Sequence, residues 1–98
     1  MKNYLLNSEE MYKIIYEKKA KKFFLKHKWD NIIDRFEQIV PTLMKNPCDN
    51  TLDIKVLKWY PEHHYRLRIW KYRFLYEVID DIIIIRFFDA GSRGEVYE

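Results

Sequence analysis

The stretch "HYRLRIWKYRFLYEVIDDIIIIRFFD", residues 64–89, decides the fold because it predicts three consecutive antiparallel strands. Over residues 64–69 and again over residues 72–79, side chains of different character alternate with the period of a β-strand. Residues 82–88 are apolar apart from one arginine, as expected for a central strand that is covered on both faces. The two residues between successive strands would form tight turns, so the three strands would make a meander.

Basic residues recur on one face of this predicted sheet. Arg66 and Arg68 alternate with apolar residues in the first strand, and Arg73 falls near the start of the second. Farther along, "GSRGEVYE" brings Arg93 and Tyr97 close to the end of the sequence. The alternation therefore predicts a sheet with one apolar face and one face that carries arginines.

The N-terminal half predicts one strand and two helices. "MYKIIYE", residues 11–17, has the β-branched and aromatic character of a short strand. Residues 18–27 repeat apolar side chains at helical spacing with lysines opposite, which predicts an amphipathic helix. A second helical pattern follows Asp30, a plausible N-cap, and runs to Leu43, with Pro41 expected to kink or interrupt it.

Together these elements predict an α+β fold. Two N-terminal helices would pack on one face of a twisted antiparallel sheet, and the arginines would lie on the other face. The sequence has no internal repeat and no linker rich in glycine, serine or proline that would divide it into two domains.

Length and composition indicate one small folded domain. The 98 residues are 48% hydrophobic and 17% aromatic, which excludes a disordered chain because such chains lack apolar side chains to bury. The net charge of +3 is too small to indicate a nucleic-acid partner without a clustered distribution of the cations. With Cys48 as the single cysteine, no apolar run near the roughly 20 residues of a membrane span and no signal peptide, we expect a cytoplasmic protein without membrane association.

Several motifs together resemble the RelE/ParE superfamily of toxins from bacterial type II toxin–antitoxin systems. They are "MYKIIYEKKAKKFFLKH" at residues 11–27, "KNP" at 45–47, "YRLRIWKYRFLYEVIDDIIII" at 65–85 and "GSRGEVY" at 91–97. Residues 1–10 are therefore expected to be an N-terminal extension, and residues 11–98 the toxin domain. The resemblance implies the RelE-like microbial RNase fold, in agreement with the periodicity.

The resemblance implies one of two toxin activities. Members similar to RelE are endoribonucleases that cut mRNA in the ribosomal A site, whereas ParE-like members bind DNA gyrase and poison it without known nuclease chemistry. The RelE-like branch is favoured because its functional positions match residues of the same kind here, namely Arg66, Arg68, Arg73, Arg93 and Tyr97. A family member without activity is the third alternative.

The resemblance also implies the partners. A toxin of this kind is paired with a cognate antitoxin protein. The RelE-like activity adds the ribosome and its mRNA as partners, and the ParE-like alternative replaces them with DNA gyrase.

RNA cleavage by the 2′-hydroxyl needs a base, an acid for the leaving 5′-oxygen, and cations that stabilise the charge on the phosphate. Arginine forks match phosphate oxygens in pairs and stay charged. We therefore expect Arg66, Arg73 and Arg93 to hold the scissile phosphate, with Arg93 near the leaving oxygen.

The base is harder to assign. Arg66 and Arg68 stand where the family usually has lysines, and Arg68 is a poor base because an arginine keeps its proton in ordinary protein sites. We favour Tyr97, whose phenol pKa of about 10 would be lowered by surrounding cations, and His64 is the competing candidate. No metal ion and no cofactor are expected, since no third ligand accompanies the neighbouring histidines at zinc spacing.

Lysines of the first predicted helix are candidates for contact with ribosomal RNA. Lys19, Lys22 and Lys26 belong to a set of six lysines within eleven residues, and such a set can follow a phosphate backbone electrostatically. The simpler interpretation is a solvated helix face.

Tryptophans give a further prediction. Trp70 and Lys71 fall at the tip of the first predicted hairpin, where an exposed tryptophan can stack on a base. Trp29 and Trp59 are expected in the core or at its edge.

Overall fold

The computed structural model describes residues 11–96; the predicted extension at residues 1–10, and Tyr97 with Glu98, lie outside the described residues. In chain order the elements are β1 (Lys13–Tyr16), α1 (Lys18–Lys26), α2 (Asn31–Lys45), β2 (Ile54–Val56), β3 (His64–Ile69), β4 (Tyr72–Ile79) and β5 (Ile84–Ser92). This arrangement confirms the predicted α+β class with two helices and a sheet.

The sheet is mixed rather than purely antiparallel. Its strand order is β1-β5-β4-β3-β2, so the β3-β4-β5 meander forms the centre. All neighbours run antiparallel except β1, which pairs with β5 in parallel. The short strand β2 was not predicted, and it extends the sheet beyond β3. Side-chain alternation identifies a strand but carries no information on the direction in which a distant edge strand is added.

The main core lies between the helices and one face of the sheet. Alternating residues of the strands point to this side, where they meet the apolar stripes of both helices. The buried members include Ala20 and Phe23 of α1, Phe36 and Leu43 of α2, and Leu67, Phe74 and Phe87 of the sheet. Burying rings of this size removes about 150–250 Å² of surface each, which makes this layer the main source of stability.

The opposite sheet face carries a second, smaller apolar cluster. Leu57, Leu75 and Val96 are buried there, with Tyr60 and Phe88 packed against them. A register shift between Leu75 and Tyr76 in the β4–β5 ladder marks a bulge, which is the usual way that a strand is bent locally. This cluster leaves the end of the sheet near the β3–β4 turn to the arginines.

The two predicted turns have different outcomes. Ile69 pairs with Tyr72, so Trp70 and Lys71 form the predicted two-residue hairpin turn, and Trp70 adopts a positive φ of 56°. At the second turn a 3₁₀ segment, Asp80–Ile82, is followed by Ile83 with a φ of 55°. Strand β5 therefore begins at residue 84 and not at residue 82, and it runs four residues beyond its predicted end.

Helix α2 begins after Asp30 as predicted and departs from the prediction at Pro41. It continues through Pro41 to its end at Lys45, without the predicted interruption. Asp30 occupies the N-cap position but makes no capping hydrogen bond, because its Oδ2 atom lies 2.6 Å from Nδ1 of His27. The loop between the helices is thus closed by a side-chain pair.

The prediction that Trp29 and Trp59 belong to the core is wrong. Trp29 is 88% exposed in the loop between the helices, and Trp59 is 76% exposed in the loop between β2 and β3. Both tryptophans lie outside the periodic segments, so the alternation rules that place core residues do not apply to them.

Candidate functional site

Five cations line a single cleft on the sheet face opposite the helices. The cleft has a volume of about 420 Å³, and its cationic side chains, here called the arginine cluster, are Lys55, Arg66, Arg68, Arg73 and Arg93. Strand pairing brings four of them together, because Lys55 is opposite Arg66 and Arg68 is opposite Arg73. The predicted arginine face therefore exists as one concave site.

Asp53 orients two members of the arginine cluster. Its Oδ1 atom accepts a hydrogen bond of 2.7 Å from Nη2 of Arg66, and its Oδ2 atom accepts one of 2.6 Å from Nε of Arg68. Each guanidinium carries five N–H donors in a fixed plane. One carboxylate therefore holds both forks in place while other donors of each remain directed elsewhere.

The backbone of the β3–β4 turn holds the other two arginines. The Lys71 carbonyl accepts a hydrogen bond of 3.0 Å from Nη1 of Arg73 and one of 3.3 Å from the backbone N–H of Arg93. Arg73 is only 7% exposed, whereas Arg93 is exposed at the rim. The turn thus holds a buried arginine and an exposed arginine at the same cleft.

The cluster has a strongly positive field. Five cations line one cleft, with the carboxylate of Asp53 bridging two of them, and cleft walls of low dielectric concentrate such a field. Arg68 and Arg73 are also directly opposed across the two strands, an arrangement of like charges that destabilises a sheet. A fold that keeps these cations together despite their repulsion is suited to binding anions such as phosphate.

The two candidate bases differ in what the structure says about them. Tyr97 lies outside the described residues, and its neighbour in the chain, Val96, lines the cleft of the arginine cluster. His64 is 7% exposed and packs between the rings of Tyr60 and Phe88. It is not among the residues that line the cleft.

The ring nitrogens of His64 have partners of their own. Nδ1 lies 3.0 Å from the carbonyl oxygens of both Pro61 and Glu62, and since carbonyls only accept, Nδ1 must carry a proton. The other nitrogen, Nε2, lies 4.0 Å from Oε1 of Glu77. This tautomer leaves Nε2 as the proton acceptor, so what weakens His64 as a candidate base is its burial outside the cleft of the arginine cluster.

The predicted lysines of α1 line a separate cleft. Lys19, Lys22 and Lys26 are exposed and border a space of about 350 Å³ between α1, β5 and the C-terminal turn. Nζ of Lys26 lies 3.9 Å from the carboxylate of Glu95. Hydrogen bonds from Ser92, with smaller effects of Lys26 and His27, hold the pKa of Glu95 below its usual value.

The tip of the β3–β4 hairpin lines another cleft, of about 600 Å³. Trp70 and Lys71 border it from the sheet, and Trp29 borders it from the loop between the helices. Trp70 is 58% exposed, in agreement with the predicted exposure at the turn.

An apolar groove lies on the helical side of the molecule. It has a volume of about 610 Å³ and is lined by Phe24 and Leu25 of α1 and by Ile33 and Val40 of α2. Lys21 and Glu37 are the charged residues at its border. Helix grooves with this composition accept apolar segments of other proteins.

The roles of three charged residues, Asp53, Lys55 and Arg86, were not predicted from the sequence. Asp53 and Lys55 belong to the arginine cluster only because the unpredicted strand β2 pairs with β3. Arg86 was noted only as a break in an apolar strand; its Nη1 lies 2.7 Å from Glu17, and its Nε donates to Glu77 at 2.9 Å. Although burial opposes its charge, these two carboxylates raise the pKa of Arg86. The sequence signal for this ion pair was the opposite charge of Glu77 and Arg86, which lie in neighbouring predicted strands.

Residues 11–96 contain neither a metal-binding cluster nor a membrane-spanning helix. No group of three or more His, Cys, Asp and Glu side chains in this range is placed to hold a metal ion. No helix in the same range is long and apolar enough to cross a membrane.

A small α+β domain with a cationic cleft on its uncovered sheet face defines a recognisable class. The family model described as ParE toxin of type II toxin-antitoxin system, parDE, matches residues 14–97. The chain therefore belongs to the RelE/ParE superfamily of toxins of type II toxin–antitoxin systems. No curated protein matches the chain.

Three of the similar solved structures are complexes of RelE with RelB. A RelB–RelE antitoxin–toxin complex from Methanococcus jannaschii is 30% identical with a TM-score of 0.66, covering 85% of this chain and 94% of that one. The archaeal RelE–RelB complex from Pyrococcus horikoshii has a TM-score of 0.71 at 22% identity, covering 87% and 98%. The intact E. coli RelBE complex has a TM-score of 0.68 at 18% identity, covering 83% and 95%. At 22% and 18% identity, the likeness to the P. horikoshii and E. coli complexes shows the fold alone.

Proposed function

We propose that this toxin is an endoribonuclease that cleaves mRNA in the ribosomal A site and so inhibits translation. The observation that carries the proposal is the arginine cluster, where planar guanidinium forks are held in fixed orientations around one cleft. Such forks match the oxygens of a phosphate in pairs, and they remain charged throughout a reaction. The similarity to RelE structures supports the same reading.

The proposed reaction is an in-line displacement at one phosphate of the mRNA. The 2′-oxygen of a nucleotide attacks the adjacent phosphorus, the bond to the 5′-oxygen of the next nucleotide breaks, and a 2′,3′-cyclic phosphate remains. We propose that Arg66 and Arg73 stabilise the charge that develops on the phosphate, and the burial of both side chains in the cleft supports this role. We propose that Arg93, at the exposed rim, stabilises the charge on the leaving 5′-oxygen, which takes up its proton from water.

Tyr97 remains our proposed base, and it accepts the proton of the 2′-hydroxyl. Two observations support it over the alternatives. Arg68 is committed to Asp53 by its Nε atom, and arginine does not release its proton in ordinary sites. His64 has Nδ1 engaged with two carbonyls and its ring packed away from the cleft.

We further propose a cognate antitoxin as the resting partner in the cell. The similar structures from M. jannaschii, P. horikoshii and E. coli are complexes of RelE with RelB. Two surfaces of this chain are suited to such a partner: the apolar groove between α1 and α2, and the positive arginine cluster. An antitoxin segment that covers the cluster with carboxylates would block access of RNA.

The alternative function is inhibition of DNA gyrase without catalysis. The observation in its favour is the matching family model, which is that of ParE toxins. In that case the arginine cluster would bind a protein surface or DNA, and mRNA would stay intact.

Induction of the chain in growing bacteria distinguishes the two functions. We expect incorporation of labelled methionine to stop within minutes while plasmid supercoiling stays normal. Loss of supercoiling before any fall in protein synthesis would contradict the endoribonuclease and support the gyrase alternative. For a cluster variant such as Arg73→Met, the matched control is Arg35→Met, which removes an exposed arginine of α2. Arg35 contacts Gln38 and does not line the cleft.

A further inference from the structure

We infer that Trp29 and Trp70 form a stacking platform for the bases of single-stranded RNA whose phosphates lie in the arginine cluster. The inference rests on the proposed function for its substrate class. Both tryptophans line one cleft of about 600 Å³, one from the loop between the helices and one from the hairpin tip. They come from distant parts of the chain, and the fold brings them to one surface.

The exposure of the two rings is the first observation behind the platform. Trp29 is 88% exposed and Trp70 is 58% exposed, although tryptophan is highly buried on average. Both rings line the same cleft, and the flat face of a purine or pyrimidine can stack on an exposed aromatic ring.

The backbone of Trp70 is the second observation. Its φ of 56° lies in the left-handed region, which favours glycine and is unfavourable for a residue with a bulky side chain. Backbone conformations of this kind persist at functional positions, where the side chain serves a purpose that glycine cannot. The indole of Trp70 is therefore a candidate contact and not a passive turn residue.

Two lysines lie beside aromatic rings at the platform and favour nucleic acid as the partner. The one carboxylate among the described residues that line the cleft, Asp30, lies 2.6 Å from Nδ1 of His27. Nζ of Lys28 lies 5.5 Å from the ring centre of Trp29, and Nζ of Lys71 lies 5.4 Å from that of Tyr72. Cations next to exposed rings neutralise the phosphates that accompany stacked bases, as in proteins that bind single strands through aromatic residues. A protein partner without acidic residues would gain nothing from these lysines.

The platform and the arginine cluster meet at the β3–β4 hairpin turn. Lys71 lines the platform cleft, and its carbonyl accepts hydrogen bonds from both Arg73 and Arg93 of the cluster. The hairpin turn therefore borders the platform with the side chains of Trp70 and Lys71 and holds two arginines of the cluster through its backbone. A strand of RNA that enters the cluster would cross the hairpin tip and place its next bases over Trp70 and Trp29.

The test compares binding of a fluorescein-labelled eight-nucleotide RNA with binding of an abasic strand of the same length, measured by anisotropy at low salt. The abasic strand keeps the phosphates and loses the bases. Wild-type protein should prefer the intact strand by about tenfold or more, since stacking on one aromatic contributes roughly 1–3 kcal/mol, and 1.4 kcal/mol is tenfold. Trp29→Ala and Trp70→Gly together should remove that preference and leave abasic binding unchanged.

Two controls keep the outcome interpretable. Trp59→Ala removes a tryptophan of similar exposure at the other end of β3, and it should keep the preference for intact RNA. Trp70→Gly relieves the positive φ, so a folded variant is expected, and circular dichroism checks it.

Equal binding of intact and abasic RNA by wild-type protein would overturn the platform, as would an equal loss in the Trp59→Ala variant. The same holds if the Trp29 and Trp70 variants keep their RNA preference but lose toxicity in cells, because the rings would then serve a protein partner. Base preference without any cleavage on the ribosome would refute the proposed function and leave the platform standing.

Discussion

Arg73 combines burial, positive charge and a like-charged neighbour, three features that each oppose folding. It is 7% exposed and stands directly opposite Arg68 in the β3–β4 ladder. Opposed like charges destabilise a strand pair by a few tenths of a kcal/mol to about 1 kcal/mol. A purely structural residue at this position would be apolar, so the guanidinium is best explained by its place in the cleft.

The Arg73→Met variant separates function from stability. Methionine keeps the apolar stem and removes both the charge and the repulsion from Arg68. We expect the free energy of unfolding, from urea titration, to stay within about 1 kcal/mol of wild type. The single-turnover rate of mRNA cleavage should fall about 10²- to 10³-fold, which is the usual effect of removing one group that stabilises the transition state. A destabilised variant that still cleaves at the wild-type rate would make Arg73 a structural residue.

Tyr97 leads to a prediction about proton transfer. If its phenolate accepts the 2′-hydroxyl proton, Tyr97→Phe should slow cleavage about 10²- to 10⁴-fold with ribosome affinity nearly unchanged. Arg68→Lys should be tolerated or should raise turnover, because a lysine among cations can lose its proton. Measurement of single-turnover rates on programmed ribosomes checks both. Loss of cleavage in His64→Ala with full activity in Tyr97→Phe would reverse the assignment.

Helix α1 carries the lysines that face solvent on one side and packs Ala20 and Phe23 on the other. Changing Lys19, Lys22 and Lys26 together to glutamine should weaken association with ribosomes and reduce its dependence on salt, because three phosphate contacts are lost. Exposed substitutions of this kind usually change stability by less than about 0.5 kcal/mol each. Sedimentation with ribosomes at two salt concentrations measures the effect.

The matched control for α1 changes Lys13, Arg35 and Lys45 to glutamine, three exposed cations of β1 and α2. The total charge falls equally in both variants. Equal weakening by the two variants would show that ribosome binding depends on net charge, and α1 would then have no specific part in it.

At the same scale, the sequence predicted those elements whose packing is written in a local period. Alternation in β3 and β4 placed Arg66, Arg68 and Arg73 on one face, and the two-residue turn fixed the pairing of Ile69 with Tyr72. That pairing puts Arg68 opposite Arg73. The relative placement of these three arginines therefore followed from spacing alone.

Contacts between distant segments could not be predicted in this way. Asp53 reaches its two arginines only because β2, three residues long, adds to the edge of the sheet. The parallel pairing of β1 with β5 and the exposure of Trp29 likewise depend on how the helices return the chain to the sheet. No local period encodes these relations.

The whole molecule holds several tyrosines whose protons are bound more tightly in the folded state. Burial, reinforced by a hydrogen bond from its hydroxyl to Asp80, raises the pKa of Tyr12, and burial raises the pKa of Tyr76. Burial, with a contact to Cys48, raises the pKa of Tyr65 to about 12. Burial likewise raises the pKa of Tyr16, where Glu37 adds to the effect.

These shifts predict alkaline unfolding with a definite sign. A folded-state pKa above the unfolded value near 10 means that the stability contribution is complete below pH 10 and is lost as the pH rises through the folded pKa. The midpoint of urea unfolding should therefore fall steeply between about pH 10 and pH 12. Absorbance of tyrosinate at 295 nm should rise together with unfolding. Tyr12→Phe should flatten the pH dependence, and an unchanged slope would contradict this role of Tyr12.

At the scale of the whole molecule, we propose that the toxin cleaves mRNA on the ribosome through its arginine cluster. The most direct measurement adds the purified chain to ribosomes with a defined mRNA and an empty A site, and maps cleavage by primer extension. We expect a cut within the A-site codon that leaves a 2′,3′-cyclic phosphate and disappears in the Arg73→Met variant. Intact mRNA after prolonged incubation, with gyrase supercoiling blocked by the same preparation, would contradict it.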